Sequence, residues 1–335
     1  MNTQLQANEV VLDPTLKLRP AQWADMKAIA QLILDVCIAD GDPTVATSEE
    51  ELHRFWKSPE VELERDAWIV ETDDGRLVGY QEFYNRHAHA SFHGDGYVHP
   101  EFHRLGIGTA MLRALEARAR EEMKLAEPDL RVFIRNAMPT ADTSARELHE
   151  TEGYRSIRFF WHMETELDEP PRTPEWPAGI ELHPFVLEQH NHMVFAAHEE
   201  AFSDHWGHTP NTFEQWQHNM TSREDLDPTL WFIAWDHDQI AGYSLCRYRM
   251  GIGWVGSLGV RRPWRKRGLG EALLLHSFGE FYKRGMKTVG LGVDAESPTG
   301  ATRLYKKAGM HVAADYVTYE KELRPGREPE EQERE

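Results

Sequence analysis

The feature that most constrains this chain is an internal repeat. Trp68-Ile69-Val70 through Gly79-Tyr80 aligns with Trp231-Phe232-Ile233 through Gly242-Tyr243 at a constant offset of 163. Leu18-Arg19-Pro20 matches Leu182-His183-Pro184 at 164, and His103 to Gly108 matches Arg265 to Gly270 at 162. Leu148-His149 with Gly153 matches Leu304-Tyr305 with Gly309 at 156. Four matches in one order, with small drifts, describe two copies of one domain. The join falls in Asp168 to Pro177, whose four prolines can neither donate to a sheet ladder nor continue a helix. The expected layout is one copy at 14–168, a semi-rigid linker at 169–177, a second copy at 178–322 and a charged tail at 323–335.

Each copy reads as helix, helix, hairpin, strand, Gly-rich turn, long helix, strand, helix, strand. Leu18-Arg19-Pro20 and Leu182-His183-Pro184 each open a helical segment, and Asp73-Asp74-Gly75 and Asp236-His237-Asp238 make the hairpin turns. Met111, Leu112, Leu115 and Ala119 follow Gly108 at helical spacing, as Leu273, Leu274, Phe278 and Phe281 follow Gly270. The fold class is α/β, a mixed sheet with helices on both faces, made twice.

A net charge of −19 argues against nucleic acid and anionic membrane surfaces, whose phosphates are held by Lys and Arg. It is compatible with a cationic acceptor. The two cysteines, Cys37 and Cys246, lie far apart in apolar stretches, as in a reducing compartment. The first residues show no basic region followed by an apolar core, and no apolar run approaches the roughly 20 residues that span a bilayer. A cytoplasmic protein is expected, either monomer or homodimer. Of the 18 histidines, His87, His89, His93 and His99 cluster without zinc-site spacing, so no metal is expected.

In the second copy the strand from Trp254 to Val260 ends at Arg261-Arg262-Pro263, and Arg265-x-x-Gly268-x-Gly270 opens the helix. A helix N-terminus presents unpaired N–H groups and the positive end of the macrodipole, and glycine lets an anion approach closely. Arg262, Arg265, Lys266 and Arg267 add charge there, so the turn suits a pyrophosphate. Spacing alone leaves a purely geometric role open. The glycine order is not that of the dinucleotide fingerprint, and the Gly-Lys-Ser/Thr of a P-loop is absent.

Arg265-Lys266-Arg267-Gly268-Leu269-Gly270 resembles the Arg/Gln-x-x-Gly-x-Gly/Ala signature of the GNAT N-acetyltransferase superfamily. So do its place after Leu258-Gly259-Val260 and the later Gly300-Ala301-Thr302-Arg303-Leu304-Tyr305 to Gly309. The likeness covers nearly the whole chain as two copies, and among tandem members it resembles mycothiol synthase and its relatives most. The resemblance implies two GNAT-like domains, each a mixed, mostly antiparallel sheet with a splayed central pair of parallel strands. It implies acetyl-CoA as co-substrate, held by Leu258, Gly259, Val260, the turn Arg265, Lys266, Arg267, Gly268, Leu269 and Gly270, and Ser297.

The same resemblance assigns Tyr305 to protonating the CoA thiolate. Related sequences carry Glu on the strand before the turn where this chain has Trp254, which leaves Asp294 and Glu296 as candidate bases. The run Glu199, Phe202, Asp204, His205, Trp206 is expected to rim the pocket of a small-molecule or peptide amine. Acids beside aromatics suit an ammonium group. In the first copy His103 replaces Arg265 and His149 replaces Tyr305, so that copy is expected to be degenerate. The function implied is acetyl transfer to a primary amine; the alternative is an acyl-CoA-binding sensor or scaffold that moves no acetyl group.

Overall fold

The computed structural model describes residues 11–208, 210–221, 223 and 226–329. The chain runs β1 (Leu16–Pro20), α1 (Met26–Ala39), α2 (Glu49–Trp56), α3 (Leu63–Asp66), β2 (Ala67–Thr72), β3 (Leu77–Glu82), β4 (Tyr84–His87), β5 (Ser91–His93), β6 (Gly96–Val98), α4 (Ile107–Glu122), β7 (Val132–Pro139), α5 (Thr143–Thr151) and β8 (Arg155–Glu166). It continues β9 (Ile180–Pro184), α6 (Leu187–Phe202), α7 (Phe213–Trp216), β10 (Trp231–Asp236), β11 (Gln239–Arg249), β12 (Ile252–Val260), α8 (Leu269–Lys283), β13 (Thr288–Asp294), α9 (Ala301–Lys307) and β14 (His311–Arg324). No helix among the described residues is long and apolar enough to cross a membrane.

The Leu-x-Pro segments expected to open helices are instead strands, β1 and β9. Each pairs antiparallel with one neighbour, β2 or β10, and places its proline last, where a missing N–H costs a sheet edge little. The tail also differs from expectation. Leu323 and Arg324 complete β14, and Arg327 is held by Asp129, its N–H donating to the Asp129 carbonyl at 2.8 Å. The expected tail residues from 330 onward, like residues 1–10 at the other end, lie outside the described residues.

The chain divides into two compact units. Among the described residues, one comprises 11–157 with the strand end from Val317, and the other lies within Arg158–Tyr316. β8, which precedes the Pro-rich segment, thus supplies most of its length to the second unit.

In the second unit the strand order is β8-β13-β12-β11-β10-β9. All these pairs are antiparallel except β12 with β13, which are parallel and paired only at Gly253↔Val289 and Trp254↔Gly290. Beyond Trp254 and Gly290 they separate, so the central parallel pair is splayed. Val289, Leu291 and Val293 pack in one core with Leu273, Leu274 and Phe278 of α8. Because side chains alternate across a strand, Gly290, Gly292 and Asp294 point to the opposite face. On that opposite side Val194, Phe195 and Ala201 of α6 form a separate core with Ile233, Trp235 and Tyr243.

The first unit repeats the plan with a break. β1-β2-β3-β6 form one sheet, and β4-β5-β7-β14 are the neighbouring order of a second. β5 pairs parallel with β7, whereas β6 pairs with β3, so the strand equivalent to β12 is cut between His93 and Gly96. A Cβ at Gly94 would meet Leu115 of α4 at 2.7 Å and the Glu82 carbonyl at 2.8 Å, so only glycine passes there.

Candidate functional site

The Gly-rich turn of the second unit has the geometry of an anion cradle. Lys266 and Gly268 take left-handed φ values of 62° and 87°, and Gly268 is the N-cap of α8 with no side chain capping it. The helical ladder begins with Ala272 N–H donating to the Gly268 carbonyl (3.0 Å), so the amides ahead of it point out of the helix. A Cβ at Gly268 would meet nothing within 4 Å. Lys266 and Arg267 are exposed and without partners among the described residues. These residues fit an anionic pyrophosphate.

The Arg265 side chain is engaged elsewhere. Its Nε donates to the Val260 carbonyl (3.0 Å), Nη2 to the Ala201 carbonyl (3.2 Å) and Nη1 to Asp204 (2.8 Å). Arg262 donates to the other Asp204 oxygen at 2.6 Å and to Ser203 at 3.2 Å. The two guanidiniums, Arg262 before Arg265, hold the Asp204 carboxyl down at about 2. Asp204, expected at the acceptor, therefore ties the end of α6 to the Gly-rich turn.

Tyr305 on α9 is 8% exposed and packs in the α8 core, with Leu258 and Val260 against the same cluster. Its hydroxyl makes no hydrogen bond among the described residues. Burial alone pushes its pKa up to about 12, so it keeps its proton at neutral pH with its donor capacity unspent. A Cβ at Gly270 would lie 3.4 Å from Leu304 and 3.6 Å from Val260, ordinary van der Waals distances. Ser297 lies in the turn before α9, its Oγ 2.9 Å from Thr299 and its carbonyl accepting from Gly300 N–H. Along β12 the register steps from Leu245↔Ser257 to Cys246↔Val255, leaving Gly256 as an unpaired bulge.

The other expected residues divide between the interior and a rim. Glu199 is buried, accepting from the Asn211 backbone and side chain (both 3.3 Å), with His208 at 3.6 Å. Phe202 stacks on His198 at 4.4 Å, and His198 Nδ1 lies 3.1 Å from Tyr243 Oη. Burial lowers the His198 pKa to about 4, leaving the ring neutral. His205 meets Phe202 edge-on at 4.2 Å; burial, then the charge of His208 and Arg265, lowers its pKa, with Asp294 and Asp204 opposing. Asp294, Glu296 and Trp206 gather round Arg158. Arg158 grips Asp294 through Nε (3.1 Å) and Nη2 (2.7 Å), reaches Glu296 Oε2 at 3.0 Å, and lies 5.4 Å from the Trp206 ring.

Arg158, Phe160 and His162 carry no signal of their own in the sequence, while Tyr243 shows there only as a repeat match to Tyr80 and His198 only as the start of the run that leads to Trp206. Phe160 and His162 are registered against Asp294 and Gly292, and His162 packs on Trp254 at 5.0 Å. Gly292 is exposed with nothing within 4 Å of a Cβ, so the sheet face between these side chains is open.

The first unit fills the corresponding space. Gly79↔Val98 and Tyr80↔Tyr97 mirror Gly242↔Val260 and Tyr243↔Gly259. Tyr80 Oη donates to Glu82 at 2.5 Å, and Tyr84 Oη lies 2.7 Å from Glu82 and 2.6 Å from Asp95. Burial and then Asp95 push Glu82 up to about 7. A Cβ at Gly106 would strike the Val11 carbonyl at 2.6 Å. His103 Nε2 reaches the Val98 carbonyl (3.3 Å), as Arg265 reaches Val260. His149 is buried with Nδ1 on the Ala145 carbonyl (2.8 Å) and Nε2 by Asn136 (2.9 Å); burial lowers its pKa. No group of three or more His, Cys, Asp or Glu among the described residues is placed to hold a metal ion.

The family model "Acetyltransferase (GNAT) family" matches residues 33–138 and 191–310. A GCN5-related N-acetyltransferase from Sphaerobacter thermophilus is 41% identical and superposes with a TM-score of 0.80, covering 95% of this chain and 99% of its own. A mycothiol acetyltransferase of Salinispora arenicola is 28% identical over 92% of this chain and 95% of its own length. A tandem GNAT protein from the clavulanic acid biosynthesis pathway shares the fold at 18% identity and a TM-score of 0.71, covering 93% of this chain.

Proposed function

The chain belongs to the GNAT acetyltransferase family, and we propose that it moves an acetyl group from acetyl-CoA to a primary amine in its second unit. The observation that carries this reading is Tyr305, a buried phenol with its proton retained and no partner, in the unit whose Gly-rich turn stands open. Acetyl-CoA, when bound, supplies a thioester carbonyl. The amides from Lys266 to Gly270, with Lys266 and Arg267, hold its pyrophosphate; Leu258, Gly259 and Val260 line the splay, and Ser297 closes the turn beyond it. The bulge at Gly256 frees backbone N–H groups of β12 to polarise a carbonyl.

The amine nitrogen attacks the carbonyl carbon, the C–S bond breaks, and Tyr305 Oη gives its proton to the departing sulfur. Glu296, which shares only one Arg158 N–H through its carboxylate, takes the proton that the entering ammonium must lose; Asp294 supplies charge beside it. The nitrogen sheds its second proton to solvent as the amide forms, Tyr305 is reprotonated from solvent, and the net release is one proton. The two charge settings favour this arrangement. Arg262, Arg265, Lys266 and Arg267 outnumber Asp204 at the turn, while Asp294 and Glu296 outnumber Arg158 at the rim. An anionic donor and a cationic acceptor are thus drawn to different sides.

The filled pocket of the first unit supports a structural role for that copy. Among acceptors, the substrate of the relatives named mycothiol acetyltransferase is one candidate, with Trp254 in place of a strand Glu. The test is a panel of primary amines assayed for acetyl-CoA-dependent thiol release. Tight CoA binding with no thiol release for any amine would favour the acyl-CoA sensor or scaffold instead.

A further inference from the structure

We propose that Arg158, on a strand encoded by the first repeat copy, is a positioning residue for the acceptor, and that the acceptor is a primary ammonium with an apolar body beside it. The proposal rests on the acetyl-transfer reading above. Arg158 stands two residues before Phe160, which is registered directly against Asp294. From there its guanidinium makes a fork to both Asp294 oxygens and a third bond to Glu296 Oε2, while Nη2 also donates to the Glu296 carbonyl at 3.3 Å. A planar fork of this kind fixes carboxylate orientation as well as charge, which a lysine ammonium does not.

The same guanidinium lies under Trp206, and Phe160 approaches Trp206 at 6.1 Å. Trp206 stays 36% exposed. One side chain therefore sets two carboxylates and one indole in register at the open, glycine-floored end of β13. Two carboxylates against one guanidinium leave a net negative charge, which favours a cation, and the indole and Phe160 offer an apolar wall to the body that carries the ammonium. The first copy thereby contributes to acceptor choice through β8.

Tyramine, a primary ammonium joined by a short chain to a ring, is the probe. In the full chain, Arg158→Met should raise KM for tyramine about tenfold or more, with KM for acetyl-CoA and the thermal midpoint little changed. Arg158→Lys should keep the charge yet recover only part of the loss, and added guanidinium chloride at low concentration should restore turnover to Arg158→Met but not to wild type. Direct binding is read from tyramine quenching of tryptophan fluorescence, with Trp206→Phe identifying the reporter. Quenching that needs both Trp206 and Arg158 supports the proposal even if no tyramine is acetylated, in which case only the acetyl-transfer reading falls. Equal rises in both KM values, an unchanged tyramine KM, or wild-type protein that neither binds nor acetylates tyramine would overturn it.

Discussion

Tyr97 occupies in the first unit the strand position that Gly259 occupies in the second, each registered against a tyrosine of the adjacent strand, Tyr80 or Tyr243. At Gly259 an added Cβ would lie 2.2 Å from Tyr243 Oη, so the glycine is what allows Tyr243 to lie across β12 and reach His198. Gly259→Ala should displace that ring at an overpacking cost of about 1–3 kcal/mol and lower turnover more than tenfold. Tyr97→Gly should instead leave a cavity costing roughly 3–5 kcal/mol and spare both KM values. Thermal unfolding and thiol-release kinetics on the two variants check the contrast; full turnover in Gly259→Ala would remove β12 from the site.

Tyr305→Phe should cut kcat by about 100-fold or more, the usual worth of a positioned general acid, with KM for acetyl-CoA little changed. Because its hydroxyl has no partner, the substitution should be close to neutral for stability, within about 1 kcal/mol. The folded phenol titrates near 12, so Tyr305 contributes no falling limb to the pH profile below pH 10. A loss of kcat matched by a lower thermal midpoint would assign Tyr305 to packing.

The parts of the site that can be read in sequence are those carried by short motifs. Gly268 is legible because a left-handed N-cap favours glycine, whereas Gly270 and Tyr305 are legible only through the resemblance of the turn and of the Leu304-Tyr305 to Gly309 stretch to the GNAT pattern. Arg158 is not legible, since its partners Asp294 and Glu296 are 136 and 138 residues away and come from pairing of β8 with β13. Asp204 reads as a rim acid until its contacts are seen, because an acid two residues beyond Phe202 has no local sign of pairing with Arg262. β1 and β9 are hidden for the opposite reason: five-residue edge strands ending in proline resemble helix lead-ins when taken alone.

The buried pair in the first unit predicts a pH dependence of stability. Glu82 titrates at about 7 when folded against an ordinary 4.5, and burial raises Asp95 as well. Between these values the folded chain binds protons that the unfolded chain has released, so stability falls as pH rises from about 4.5 to about 7 and levels off above. Glu82→Gln should flatten that slope. The measurement is thermal unfolding of wild type and variant across pH 5 to 8, and an undiminished slope in the variant would refute the assignment to Glu82.

Equivalent substitutions at the two Gly-rich turns should separate binding from folding. Both Gly268 and Gly106 hold φ near 80–90°, so valine at either carries backbone strain of about 1–3 kcal/mol. At Gly268 the space is open, so the added side chain projects into the anion cradle and the chief effect should be a KM for acetyl-CoA raised more than tenfold. At Gly106 the Cβ meets the backbone of Val11 and Leu12, which adds a steric cost and dislodges the segment leading into β1. Gly106→Val should therefore lower the thermal midpoint further than Gly268→Val while leaving both KM values near wild type. Steady-state kinetics on the two variants, each checked for folding by circular dichroism, decide the matter: equal loss of turnover at both turns, with folding intact, would mean that the first copy binds acetyl-CoA productively too.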